Sequence, residues 1–118
     1  NEFMLCKDTY LDGLLKGQEG KCIWCGCEIW KDNITKEHLC PTSQGGRGRT
    51  GGDNIAIACK TCNRNRKSGS AVSFARSVEA EGKTPNWELL QKHFTDLSRS
   101  GVRREREYAL KQLNHINI

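Results

Sequence analysis

The sequence predicts a small α+β fold, with short strands and a helix at its centre, one amphipathic helix before them and several after. Three observations carry that expectation. The chain has 118 residues of which 36% are hydrophobic, enough for one small domain with a thin core. Two Cys-x-x-Cys pairs, Cys22/Cys25 and Cys59/Cys62, bracket the middle of the chain, the spacing at which four thiolates close a tetrahedral zinc site. Strand-like runs fall between the pairs, and helical apolar stripes fall outside them.

Each element follows in order. Residues 1–3 precede Met4, the sole methionine, and read as vector-derived residues ahead of a natural start at Met4. Residues 4–16 place Leu5, Tyr10, Leu11, Leu14 and Leu15 on one helical face, stopped by Gly17 and Gly20. Cys22 to Cys25 with Gly26 forms a knuckle whose backbone amides can point at sulfur. Residues 27–30 and 34–39 read as short strands around the turn-forming Lys31-Asp32-Asn33. Residues 43–53 hold five glycines and form a loop, after which residues 54–58 resume order and residues 59–67 read as a short helix. Beyond it, Val72, Phe74, Ala75 and Val78 mark one helix; Pro85 and Asn86 break it; Trp87, Leu89, Leu90 and Phe94 mark a second. A third covers residues 102–116. The expected organisation is a single domain over residues 4–118, with a core at 21–68 and a helical extension at 70–117.

A thin core needs a staple, and a structural metal supplies one because its binding free energy becomes folding free energy. Disulfides are the competing reading of seven cysteines. The odd count, the paired spacing and the lack of a signal-peptide pattern favour metal. No apolar run is long enough to span a bilayer, so the expectation is a soluble, cytoplasmic protein. Cys25 rather than Cys27 completes the first pair, and Cys6 and Cys40 read as small core thiols.

The net charge of +5 is unevenly placed: residues 37–70 hold six Lys and Arg against two acids. These are Arg47, Arg49, Lys60, Arg64, Arg66 and Lys67. Interleaved with Gly and Ser, they suit contact with nucleic-acid phosphate more than a merely solvated face.

The same central segment has the side chains for phosphodiester hydrolysis, which requires a base to activate water and a cation to stabilise developing charge. His38 is the natural base, since neutral imidazole is available near physiological pH. Glu37 offers a hard oxygen, and Asn63 a second from the first turn of the helix. Two oxygens with water and phosphate suit Mg²⁺ or Mn²⁺. Because neighbours on a strand face opposite ways, a bulge at Glu37-His38 is expected to turn both toward one phosphate. Asn54 can hydrogen-bond across the loop or orient the base.

Cys22-Ile23-Trp24-Cys25-Gly26, Glu37-His38-Leu39-Cys40-Pro41 with Gly45-Gly46, Asp53-Asn54-Ile55, and Cys59-Lys60-Thr61-Cys62-Asn63 followed by Lys67 together resemble the zinc-knuckle subgroup of the HNH endonuclease family. The resemblance covers residues 21–68. It implies a ββα-metal (His-Me finger) core and a bacterial or phage setting. It also implies His38 as general base, Asn54 as the middle asparagine that supports the loop, and Glu37 and Asn63 as ligands of the catalytic cation. Cys22, Cys25, Cys59 and Cys62 then hold a structural zinc. Two departures stand out. Glu37 replaces the commoner aspartate, and Asn63 replaces a final histidine, which favours Mg²⁺ or Mn²⁺ over a catalytic zinc.

The expected function is a DNA endonuclease cutting one strand per site, nicking as a monomer and breaking both strands only as a homodimer or in two visits. RNA stays open as a substrate because the chemistry reads phosphate. A zinc-stapled nucleic-acid-binding module without activity is the alternative, and a purely structural or protein-interaction domain the third reading. Trp24, Trp30 and Trp87 are expected around the zinc site. His93 and His115 are assigned packing or surface roles, and Arg103, Arg104 and Arg106 a possible DNA contact near a helix start.

Overall fold

A computed structural model describes residues 9–46 and 54–117. It is a mixed α+β structure in which helices flank a two-stranded antiparallel sheet. Helix α1, Thr9–Gly17, buries Leu15 and packs Leu11 and Leu14 against the core. Residues 4–8 of the expected helix lie outside the described set. After α1 the chain enters the Cys22 knuckle, then strand β1, Ile34–His38, and a short 3-10 turn at Thr42–Gln44. Strand β2, Ile55–Cys59, runs directly into helix α2, Lys60–Arg66. Helices α3 (Ala71–Ala80), α4 (Trp87–Leu97) and α5 (Arg103–Ile116) follow. Among the described residues, no helix is long and apolar enough to cross a membrane.

The expected strand at residues 27–30 does not form. That backbone is committed to the knuckle: Cys22 N donates to Cys27 O at 2.9 Å, and Ile29 N to Gly20 O at 2.8 Å, leaving one isolated bridge between Lys21 and Glu28. The partner of β1 is instead β2, with Ile34 opposite Cys59 and His38 opposite Ile55. Every residue of β2 is buried, which explains its uninterrupted Ile-Ala-Ile-Ala-Cys run.

Ile57 shows how β2 is held on its other side. Its N–H donates to Gln18 Oε1 at 2.8 Å, while its carbonyl accepts from Gln18 Nε2 at 2.9 Å and from Ile23 N at 3.1 Å. A side-chain amide thus stands in for a neighbouring strand.

The C-terminal helices start where the sequence marks them. Ser70 and Asn86 are side-chain N-caps of α3 and α4, each satisfying an otherwise orphaned amide. Two further amides of α3 are satisfied from α5: Ala71 N donates to the Tyr108 hydroxyl at 3.0 Å and Val72 N to Gln112 Oε1 at 2.9 Å. The linker before α4 docks on the knuckle, with Asn86 N donating to Ile23 O at 3.0 Å. The core is centred on Trp24, Phe94, Leu15, Ile23, Leu39, Ile57, Leu90 and Leu97. Trp24 is its hub, meeting Phe74 edge-on at 5.3 Å. Trp30 departs from expectation: its side chain is 52% exposed, because its segment turns outward at the Asn33 turn instead of pairing into the sheet. Trp87 is partly buried, and its indole N–H donates to Glu79.

Candidate active site and metal centre

The sulfurs of Cys22, Cys25, Cys59 and Cys62 all lie within 4.8 Å of one another. Tetrahedral zinc with Zn–S of about 2.3 Å needs sulfurs about 3.8 Å apart, and Cys25 Sγ to Cys59 Sγ is 3.9 Å. Backbone amides already point at these sulfurs: Trp24 N and Cys59 N donate to Cys22 Sγ, and Cys62 N to Cys59 Sγ, at 3.3 to 3.4 Å. Hydrogen bonding from the Cys62 thiol, aided by these amides, brings the Cys22 thiol down to about 5, while Cys62 is pushed up. A buried thiolate is thus stabilised where a cation would bind, and the donor set fits zinc. Cys27 is exposed and outside the quartet, and Cys40 is a buried thiol pushed up to about 11 by burial.

Zinc-knuckle geometry fixes the start of α2, because Cys59 is both the last residue of β2 and the N-cap of the helix. Asn63, one turn on, is thereby set against β1: its Nδ2 donates to Lys36 O at 2.8 Å. With the amide nitrogen engaged, Oδ1 is the acceptor end. Asn63 is therefore tied to the strand that carries Glu37 and His38.

His38 is the half-buried last residue of β1. The chain leaving it is clamped by Asn54, which is fully buried. Its Oδ1 accepts from Cys40 N at 2.6 Å, its Nδ2 donates to Cys40 O at 3.0 Å, and its carbonyl accepts from Leu39 N at 2.9 Å. Asn54, expected from sequence to hydrogen-bond across the loop or orient the base, has its side chain fully buried on the backbone of Cys40. Gly46 closes the same clamp: a Cβ there would collide with the Cys40 carbonyl and approach Asn54 Nδ2.

Glu37 is not arranged as the sequence suggests. The pairing of β1 with β2 runs one-to-one through Glu37 and His38, so the expected bulge is absent and the two side chains follow the strand's alternation. Glu37 is 5% exposed, and its Oε2 accepts from Trp24 Nε1 at 2.9 Å. Burial pushes its carboxyl up to about 7, against the opposing effects of the Trp24 hydrogen bond and the Arg66 charge.

That shift has a measurable consequence. Between the ordinary value of 4.5 and about 7, the folded chain holds a proton that the unfolded chain releases. Stability contributed by Glu37 is therefore full below 4.5 and is lost as pH rises to about 7, by roughly 3 kcal/mol at most. Glu37→Gln keeps an acceptor for Trp24 without the charge. Its urea-unfolding free energy, minus that of the unaltered protein, is expected to grow across this window and level off above it; a constant difference would refute the assignment.

Arg66, expected at a nucleic-acid surface, is 4% exposed. Its Nη2 donates to Leu39 O and to the Tyr108 hydroxyl, both at 2.8 Å, its Nη1 donates to Lys67 O, and its guanidinium lies 5.4 Å from the Trp24 ring centroid. It is a buried tie, not a phosphate contact. Lys60, Arg64 and Lys67 are exposed, whereas Arg47 and Arg49 lie outside the described residues. Tyr108 was not foreseen as a site-supporting residue. It accepts from Arg66 and Ala71 N and donates to Gly69 O at 2.8 Å; a lone tyrosine on a helical stripe gives no sign of this.

Residues 22–75 match the HNH endonuclease family. The match is to this segment alone, under half of the chain. The HNH segment contains the cysteine quartet, β1, β2, α2 and the first part of α3. Helices α4 and α5 lie beyond it. No curated protein matched the chain.

Proposed function

We propose that the protein is a metal-dependent DNA endonuclease that nicks one strand per active site. His38 acts as the general base, taking a proton from the attacking water through its imidazole. Asn54 and Gly46 hold the backbone leaving His38, so the ring is presented from a fixed loop. Asn63 through Oδ1 would hold Mg²⁺ or Mn²⁺ together with water and phosphate oxygens, and Glu37 would join it only by turning from Trp24 toward the face that His38 presents; such hard oxygen donors fit the cation. When bound, it supplies positive charge to the phosphate and the leaving oxygen. Zinc on the four cysteines does no chemistry in this reading and fixes α2 against β1. Lys60, Arg64 and Lys67, with Arg47 and Arg49, contribute to phosphate binding.

The observation that carries this reading is the Asn54 clamp directly after His38, within the segment that matches the HNH endonuclease family. One observation favours a second reading. The inward turn of Glu37 to Trp24 suits an inactive zinc-stapled module that binds nucleic acid. Incubating supercoiled plasmid with the protein and Mg²⁺, Mn²⁺, Zn²⁺ or chelator separates the two. Cation-dependent appearance of open circles is the expected result; intact plasmid under every condition, with DNA still bound, would establish the second reading.

A further inference from the structure

Helix α5 lies outside the HNH segment, yet it forms one wall of a groove whose other wall is the loop leaving His38. Gln44 of that loop and Arg104, Glu107, Tyr108 and Lys111 of α5 line a cavity of about 160 Å³. Contact between the walls is close. A Cβ on Gly45, whose φ is +93°, would collide with the Arg104 stem, so the aliphatic part of Arg104 lies directly on the loop backbone. Gln44 Nε2 donates to Ser68 O, and Arg66 joins Leu39 O to Tyr108. The groove is therefore fastened to the loop at several points.

Arg104 and Lys111 are two helical turns apart on one face, about 10 Å along the axis. Both are exposed. Their neighbours are occupied: Arg103 Nε pairs with Glu107 Oε2 at 3.6 Å, and Arg106 Nη1 donates to Ser100 O at 2.8 Å. Among the described residues, Arg104 and Lys111 have no ion-pair partner. Two such cations beside a neutral amide and a tyrosine ring suit the phosphates of a nucleic-acid strand, whose charges recur every ~3.4 Å along the axis.

We propose that this α5 groove is a phosphate-binding track for duplex DNA, with Arg104 and Lys111 contacting the backbone of the strand that continues away from His38. It rests on the endonuclease reading and extends the binding surface into helices outside the family match. Glu107 sets the strength of the track, because its carboxylate opposes phosphate at the same wall.

The test measures anisotropy of a short labelled DNA duplex over a potassium chloride series, with zinc-loaded protein and no other divalent cation. Arg104→Gln with Lys111→Gln is expected to weaken binding on the order of ten-fold at low salt and to lower the salt slope by about 2. Glu107→Gln is expected to tighten binding and steepen the slope, an effect that damage to the fold would not produce. Unchanged affinity and slope in both variants would overturn the track while leaving plasmid nicking intact. Loss on an RNA duplex but not on DNA would overturn the choice of DNA. Failure of the endonuclease reading is distinct: the unaltered protein would then not nick plasmid under any cation.

Discussion

His38→Ala is expected to abolish plasmid nicking, by at least about a hundred-fold, while the zinc content and the helical circular dichroism stay at their original values. General-base catalysis is worth roughly 10²–10⁴ in rate, and alanine leaves no group able to take the proton. The fold is spared because His38 contributes its backbone to the sheet, opposite Ile55. The clamp downstream uses Asn54 with the backbone of Leu39 and Cys40, not the imidazole. Small change in thermal midpoint together with lost nicking is therefore the expected pair of readings. Nicking at the original rate by a purified, zinc-loaded His38→Ala protein would remove His38 from the mechanism.

Cys59→Ser is expected to unfold the domain. Cys59 joins three functions at one residue: its sulfur belongs to the quartet, that same sulfur accepts from Cys62 N at the head of α2, and its N–H donates to Cys22 Sγ. Structural zinc contributes about 10–16 kcal/mol of binding free energy in small zinc domains, against a typical net stability of 5–15 kcal/mol. The expected signature is loss of helical circular dichroism that added Mg²⁺ does not restore. Cys27→Ser is the matched control, since Cys27 is exposed and outside the quartet; it should keep zinc and fold. A folded, cooperative Cys59→Ser protein would show that the metal is dispensable.

Much of this architecture is legible in the sequence because it rests on local signals. The Cys-x-x-Cys spacing specifies the quartet, Pro85-Asn86 separates α3 from α4, and the apolar stripes mark the C-terminal helices. Asn54 is recognisable from its place between two motifs, and its bridge to Cys40 agrees with a loop-supporting part. What sequence could not supply is the partner of each polar group. Arg66 lies among exposed basic residues in the sequence, but it shares the buried face of α2 with Cys62, four residues earlier, where Tyr108, forty-two positions later, meets it. Glu37 resembles a surface ligand until Trp24 is found beside it. Residues 27–30 alternate like a strand, yet the knuckle claims their hydrogen bonds first. The first two of these differences concern long-range contacts and the third a local knuckle, and each overrides the simpler sequence pattern.

Gln18 and Asn63 have a joint effect on how the molecule meets its own copies. A two-stranded sheet leaves two unpaired borders, and a border built on Ile-Ala-Ile-Ala-Cys is a template for aggregation. Ile57 and Lys36 face each other across the sheet, so in antiparallel pairing their outward groups mark its opposite borders. Gln18 seals the first at Ile57, and Asn63 covers the second at Lys36 O. The Asn63 amide, one turn into α2, thus also discourages one chain from adding its strand to another.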